Sequence, residues 1–70
     1  MSLSDTIRIA RKKAFYTQEK FAEELEVSKA TINRWEKGKS KPNIEAMKKI
    51  KAFCDNTGFP YEAIEKEWIG

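Results

Sequence analysis

Apolar residues recur every three or four positions along most of this chain, with charged and polar residues between them. Leu3, Ile7, Ala10 and Ala14 keep that spacing, which predicts a helix from about Ser4 to Ala14. Ser2, with Asp5 three residues on, can form a capping box at its start. A second helix is predicted from Gln18 to Leu25, with Thr17 as N-cap, Glu19 in the positive first turn, and Phe21, Ala22 and Leu25 facing inward. A third begins after Ser28 and stops near Lys37, where Gly38 can terminate it; its apolar residues are Ile32 and Trp35. Pro42 forbids simple continuation. Asn43 then caps a fourth helix, Ile44 to about Cys54, with an expected buried stripe of Ile44, Met47, Ile50, Phe53 and Cys54. Asp55-Asn56-Thr57-Gly58 reads as a break. A last helix starts near Pro60 with Tyr61, Ile64 and Trp68 aligned. No stretch sustains the period-2 alternation of a strand. The predicted fold class is all-α: a compact bundle of five short helices.

Only Glu26, Val27 and Ser28 separate the second and third helices. So short a link does not let two helices lie antiparallel, and it predicts a steep crossing with Val27 buried inside the turn. Two short helices joined in this way make a helix-turn-helix. Seventy residues amount to one small domain, 1–70, or a piece of a longer chain. A chain of this size buries only about 60% of its unfolded surface, so its core has to be small and well packed.

Charge changes the picture next. The net charge is +3, but it is unevenly spread. Residues 1–26 carry five cations and five anions, residues 27–51 eight cations against Glu36 and Glu45, and residues 52–70 only Lys66 against four anions. A basic middle third between a neutral and an acidic segment points to a polyanionic partner. The stretch SKATINRWEKGKSKPN, residues 28–43, holds five of those cations together with Ile32 and Trp35. A helix reconciles the two, with the apolar residues holding it down and the polar residues presented outward.

Chemistry-bearing residues are scarce. The chain has no His and one Cys, so it lacks the commonest general base, the commonest zinc ligand, an internal disulfide and any Cys-His pair. No Gly-rich phosphate loop is present, and the Glu residues lie among Lys on solvated helix faces. An enzyme is therefore not expected, nor a metal or cofactor. Cys54 reads as an inert core residue. No apolar run approaches the roughly 20 residues that cross a bilayer, and the first residues lack the apolar centre of a secretory signal, so an intracellular chain is expected.

The stretch QEKFAEELEVSKATINRWEKG, Gln18 to Gly38, resembles the helix-turn-helix of the phage repressor and Cro-like transcriptional regulators. The resemblance rests on Gln18, Phe21, Ala22, Leu25, Val27, Ile32 and the closing Trp35-Glu36-Lys37-Gly38, with Arg11 seven residues before Gln18 and Pro42 downstream. It extends over about residues 5–54. Two positions depart from it: the family usually has Gly where this chain has Phe15 and Glu26, because such sites take positive φ.

The resemblance implies a lambda-repressor-like bundle that binds operator-like double-stranded DNA in the bacterial or phage-type cytoplasm, with a repressor favoured. By position, Ser28, Lys29, Ala30, Asn33 and Arg34 match the family's base contacts, on a third helix that enters the major groove. Thr17, Gln18, Lys37, Gly38, Lys39 and Lys41 match phosphate contacts. Arg11 and Glu36 match a structural ion pair. The helix after residue 55 either completes the core or forms a homodimer through the C-terminal helix. The alternative reading is a protein-interaction module or antitoxin of the same fold.

Overall fold

Four of the five helices begin where a side-chain oxygen can accept a free first-turn N–H. Ser2 Oγ accepts from the Asp5 amide at 3.2 Å, Thr17 Oγ1 from Lys20 at 3.0 Å, Ser28 Oγ from Thr31 at 3.1 Å, and Asn43 Oδ1 from Ala46 at 2.9 Å. The fifth starts from Pro60, which has no side-chain cap. The structure, a computed structural model, describes residues 1–70. Its elements are α1 (Leu3–Lys13), α2 (Gln18–Leu25), α3 (Lys29–Glu36), α4 (Ile44–Thr57) and α5 (Tyr61–Ile69). All are helices and there is no strand, as the apolar spacing predicts.

Every helix contributes to one core. Ile7 and Ala10 come from α1, Phe21, Ala22 and Leu25 from α2, Ile32 and Trp35 from α3, and Ile64 from α5. Helix α4 supplies Ala46, Met47, Ile50, Phe53 and Cys54. Phe53 is the hub of its aromatic part. Its ring meets Phe21 edge-on at 4.8 Å between centroids, and Tyr16 likewise at 5.4 Å. Such pairs add about 0.5–1.5 kcal/mol to the value of the buried area. Burial pushes the Cys54 thiol up to about 11, with the Asp55 and Glu62 carboxylates adding to the effect. A thiol held neutral in this way is a packing group, not a nucleophile.

Two expectations about α4 need correction. Ile44 is 65% exposed, while Ala46 takes an inward place that the expected stripe omitted. At 100° per residue the buried arc centres near Ile50, and Ile44 lies about 120° away from it around the helix. Apolar identity had placed Ile44 inside, but angular position keeps it out. The helix also runs on to Thr57, past the expected end at Cys54. Thr57 Oγ1 donates back to the Phe53 carbonyl at 2.9 Å, and Gly58 at φ 83° supplies the left-handed stop. Val27, expected inside, is half-buried.

The turn between α1 and α2 is made by a residue unsuited to it. Phe15 sits at φ 61° with its side chain 95% exposed. Its N–H donates to the Lys12 carbonyl at 2.9 Å, and that of Tyr16 to Arg11 at 3.2 Å. The backbone of the turn is thus satisfied while the side chain contributes no burial. Replacing Phe15 by Gly relieves the strain and lengthens the list of unfolded conformations, for a net gain of about 0.5–1 kcal/mol. That appears as a rise in Tm of roughly 2–8 °C. In the core, Phe53→Ala lowers stability by about 3–5 kcal/mol in denaturant unfolding, whereas Ile44→Ala stays within about 0.5 kcal/mol.

Candidate nucleic-acid interface

The link between α2 and α3 holds the second strained residue. Glu26 caps α2 in the left-handed region, φ 58° and ψ 42°, where its N–H donates to the Ala22 and Glu23 carbonyls. Val27 N–H donates to Ala22 at 3.0 Å. This left-handed closure turns the chain steeply enough to start α3 three residues after α2 ends. Outside the turn, the Glu26 carboxylate is paired with Lys49 of α4. That hydrogen bond, then the charge of the same ammonium, hold the Glu26 carboxyl below the ordinary carboxylate range. The residue with no steric licence for the turn is tied down from outside it.

Helix α3 is sorted by face as the sequence predicts. Ile32 is fully buried and Trp35 4% exposed, while Lys29, Ala30 and Arg34 are exposed and Asn33 and Thr31 half-buried. Lys29 and Arg34 enter none of the chain's four ion pairs. Ser28 is less free. Its hydroxyl holds the Thr31 amide and lies 2.9 Å from the Thr31 hydroxyl, so it serves first as the cap of α3.

At the other end of α3 the buried pair expected of Arg11 and Glu36 is present. Arg11 donates from Nε to Glu36 Oε2 at 2.7 Å and from Nη2 to Glu36 Oε1 at 2.9 Å. Its remaining Nη1 donates to the Tyr16 carbonyl at 2.8 Å, in the α1–α2 turn. Gln18 Nε2 donates to Glu36 Oε1 at 3.2 Å. One carboxylate therefore gathers α1, the start of α2 and the end of α3, and no buried side-chain polar atom of the protein lacks a partner. Gln18 is consequently braced, half-buried, beside the exit of α3, with Thr17 exposed next to it as the N-cap of α2.

The basic loop follows directly. Lys37 ends α3, Gly38 takes φ 74°, and Lys37 and Lys39 are exposed. A Cβ at Gly38 would meet only Ser4 Oγ at 3.7 Å, so backbone conformation and not space requires glycine there. Its N–H is already donated to the Trp35 carbonyl at 3.1 Å, and that of Lys39 to Arg34 at 2.9 Å. Neither amide is a free donor. Lys41 is also engaged: its Nζ donates to the Trp68 carbonyl at 3.2 Å and lies 5.4 Å from the centre of the indole ring. The ties from Lys49 to Glu26 and from α5 to Lys41 escaped sequence reasoning, because each joins residues more than twenty apart with no spacing rule between them.

The candidate residues thus form two adjoining groups, Ser28, Lys29, Ala30, Asn33 and Arg34 along α3, and Thr17, Gln18, Lys37, Gly38 and Lys39 around its exit. A family model described as Helix-turn-helix matches residues 7–58. The chain belongs to the Cro/C1-type helix-turn-helix family. This helix-turn-helix chain is 40% identical over 57 residues to the HTH-type transcriptional activator BcrR of Enterococcus faecalis, covering 81% of the chain and 28% of that protein. It is 36% identical over 62 residues to the Type II methyltransferase M.SsoII of Shigella sonnei, covering 84% of the chain and 16% of that protein. The helix-turn-helix chain therefore spans under a third of either relative. No solved structure matches it. The family is one of DNA-binding regulators. No helix is long and apolar enough to cross a membrane.

The ion pair makes a direct prediction. Glu36→Gln leaves the Arg11 guanidinium buried with a neutral partner and lowers stability by about 3–5 kcal/mol in urea unfolding. Replacing both residues by apolar ones of similar volume, Arg11→Met with Glu36→Leu, recovers most of that loss, because no charge is then left stranded.

Proposed function

We propose that this chain binds double-stranded DNA in a sequence-specific manner as a transcriptional regulator, with α3 lying in the major groove. The observation that carries the reading is the division of α3: Ile32 and Trp35 hold it to the core, while Lys29, Ala30, Asn33 and Arg34 face outward. Arg34 and Lys29 suit guanine O6 and N7, Asn33 suits adenine N6 and N7, and the Ala30 methyl suits the thymine methyl. Ser28 reaches a base only while keeping its cap. Thr17 and Gln18, at the positive end of α2, and Lys37 and Lys39 take phosphates, which set register without reading sequence. Gly38 lets the DNA backbone come close.

The regulatory effect we favour is repression, because occupying a promoter excludes polymerase without any further contact surface; the relative named as an activator makes the position of the operator the deciding variable. The compartment implied is the cytoplasm of a bacterium. A homodimer is favoured by Ile69, 71% exposed at the end of α5, and Ile44, 65% exposed at the start of α4. A dimer that reads a palindromic operator sets its two α3 helices on successive major grooves, about 34–36 Å apart. A protein-only or antitoxin role is the second reading, and the same exposed residues favour it.

Selection of random duplexes by the purified chain, at several salt concentrations, tests these points together. A palindromic consensus with steep salt dependence is the expected result. Arg34→Ala or Lys29→Ala relaxes the preference at one position by about 1–3 kcal/mol, and Lys39→Ala weakens all sequences alike while reducing the salt slope by about 1. No retention at low salt overturns the DNA reading.

A further inference from the structure

The loop that carries the basic residues is held by the last turn of a helix that is remote from it in sequence. Trp68 Nε1 donates to the Pro42 carbonyl at 2.6 Å, a bond that spans 26 residues. In return Lys41 Nζ donates to the Trp68 carbonyl at 3.2 Å and stands over the indole at 5.4 Å. Pro42 itself is fully buried. Loop and helix end thus grip each other by two hydrogen bonds in opposite directions and a cation–π contact. Trp68 is only half-buried, so its ring is poorly used if packing is its whole purpose. An ammonium at the carbonyl end of a helix, over an aromatic face, is held by two favourable terms at once.

The loop has few other anchors. Gly38 and Lys39 are tied back to α3 through their amides, and the Asn43 side chain caps α4. Between those points lie Ser40 and Lys41, both exposed, and the buried Pro42, whose carbonyl and whose neighbour Lys41 meet Trp68. Lys37 and Lys39 form no ion pair within the chain. Lys37 is held by α3, whose C-cap it forms, whereas the direction of Lys39 depends on the path the loop takes to Pro42.

We propose that Trp68 and Lys41 are positioning residues for DNA backbone binding: together they clamp residues 39–42 to α5, so that Lys39 is presented to phosphates beside Lys37 at the end of α3. This rests on the DNA-binding function proposed above. It also assigns Lys41 to the clamp and not to a phosphate. The acidic C-terminal segment thereby contributes to binding although it stays clear of the DNA.

The test uses the full chain and the duplex it selects, with Kd measured across a series of salt concentrations. Trp68→Phe keeps an aromatic ring but removes the indole N–H; Lys41→Met keeps the stem but removes the ammonium. Each variant is first shown to be folded by circular dichroism at the temperature used. Either change is expected to weaken binding about fivefold on consensus and non-consensus duplexes alike, with a shallower salt slope and an unchanged base preference. Affinity and slope unchanged in folded Trp68→Phe overturn the proposal and leave the tryptophan as core packing only. A salt slope that falls in Lys41→Met but not in Trp68→Phe overturns it too, since it places Lys41 directly on a phosphate. Failure of the unaltered chain to bind any duplex overturns the DNA reading itself, and this proposal with it.

Discussion

The Glu36 carboxylate accepts three hydrogen bonds, two from Arg11 and one from Gln18, and the remaining guanidinium arm of Arg11 reaches the carbonyl of Tyr16. Both charged residues are less than a tenth exposed. Taking two such charges out of water costs several kcal/mol each, and their attraction roughly returns that sum. The net effect on stability is small; the effect on geometry is not. A bidentate guanidinium–carboxylate pair tolerates little rotation. It locks the end of α3 to α1, while the Tyr16 contact fixes the turn leading into α2. Gln18 then ties the start of α2 to the same carboxylate. The orientation of the presented helix relative to its partner is therefore set by directional bonds at one end and by Ile32 and Trp35 along its length.

Those bonds have to coexist with two backbone positions that the residue types resist. Phe15 and Glu26 both take positive φ, in the turns that enter and leave α2. A left-handed residue other than glycine costs roughly 1–2 kcal/mol, a sizeable share of what a domain of this size has to spare. At Glu26 the Lys49 ion pair offsets part of this, though the carboxylate is mostly exposed and the pair correspondingly weak. At Phe15 no side-chain contact offsets the strain, and the turn persists because α1 and α2 are each fastened on either side of it. The turn is over-determined by the Arg11–Tyr16 bond and by the packing of Tyr16 on Phe53.

How much of this was legible in the sequence follows from the range of each interaction. Caps depend on residues three apart, and Ser2, Thr17, Ser28 and Asn43 all cap as their positions imply. The inward faces of α2 and α3 follow from spacing within eight residues. Glu26 and Phe15 could be suspected of positive φ because the resemblance supplies glycine at those places. Apolar identity misplaces Ile44, three residues before Met47 yet about 120° from the centre of the buried arc, and turn propensity misplaces Asp55-Asn56-Thr57, which stay helical. There α4 packs against α2 and α5, and the tertiary context outweighs local propensity. Of the candidates along α3, Ser28, Lys29, Ala30 and Arg34 are exposed and Asn33 is half-buried, an outward face that spacing made legible. The contacts of Lys41 and Lys49 were not, because nothing local encodes a partner more than twenty residues away.

Charge segregation gives these separate facts a common logic. The acidic surplus lies in residues 52–70, and α5 lies against α1 and α4, away from the exposed face of α3. Such a helix near phosphates would oppose binding, yet its carbonyl terminus attracts cations at short range. The contact between Lys41 and the end of α5 uses that attraction at 3.2 Å, where it is strong, while exposed charges further apart than about 10 Å are largely screened by salt. A short chain can thus carry an acidic segment and a basic one without the first cancelling the second. The two segments meet through aromatic rings and a helix end, Lys41 at Trp68 and Lys51 over the Tyr61 ring at 5.8 Å, while Lys37 and Lys39 enter no ion pair.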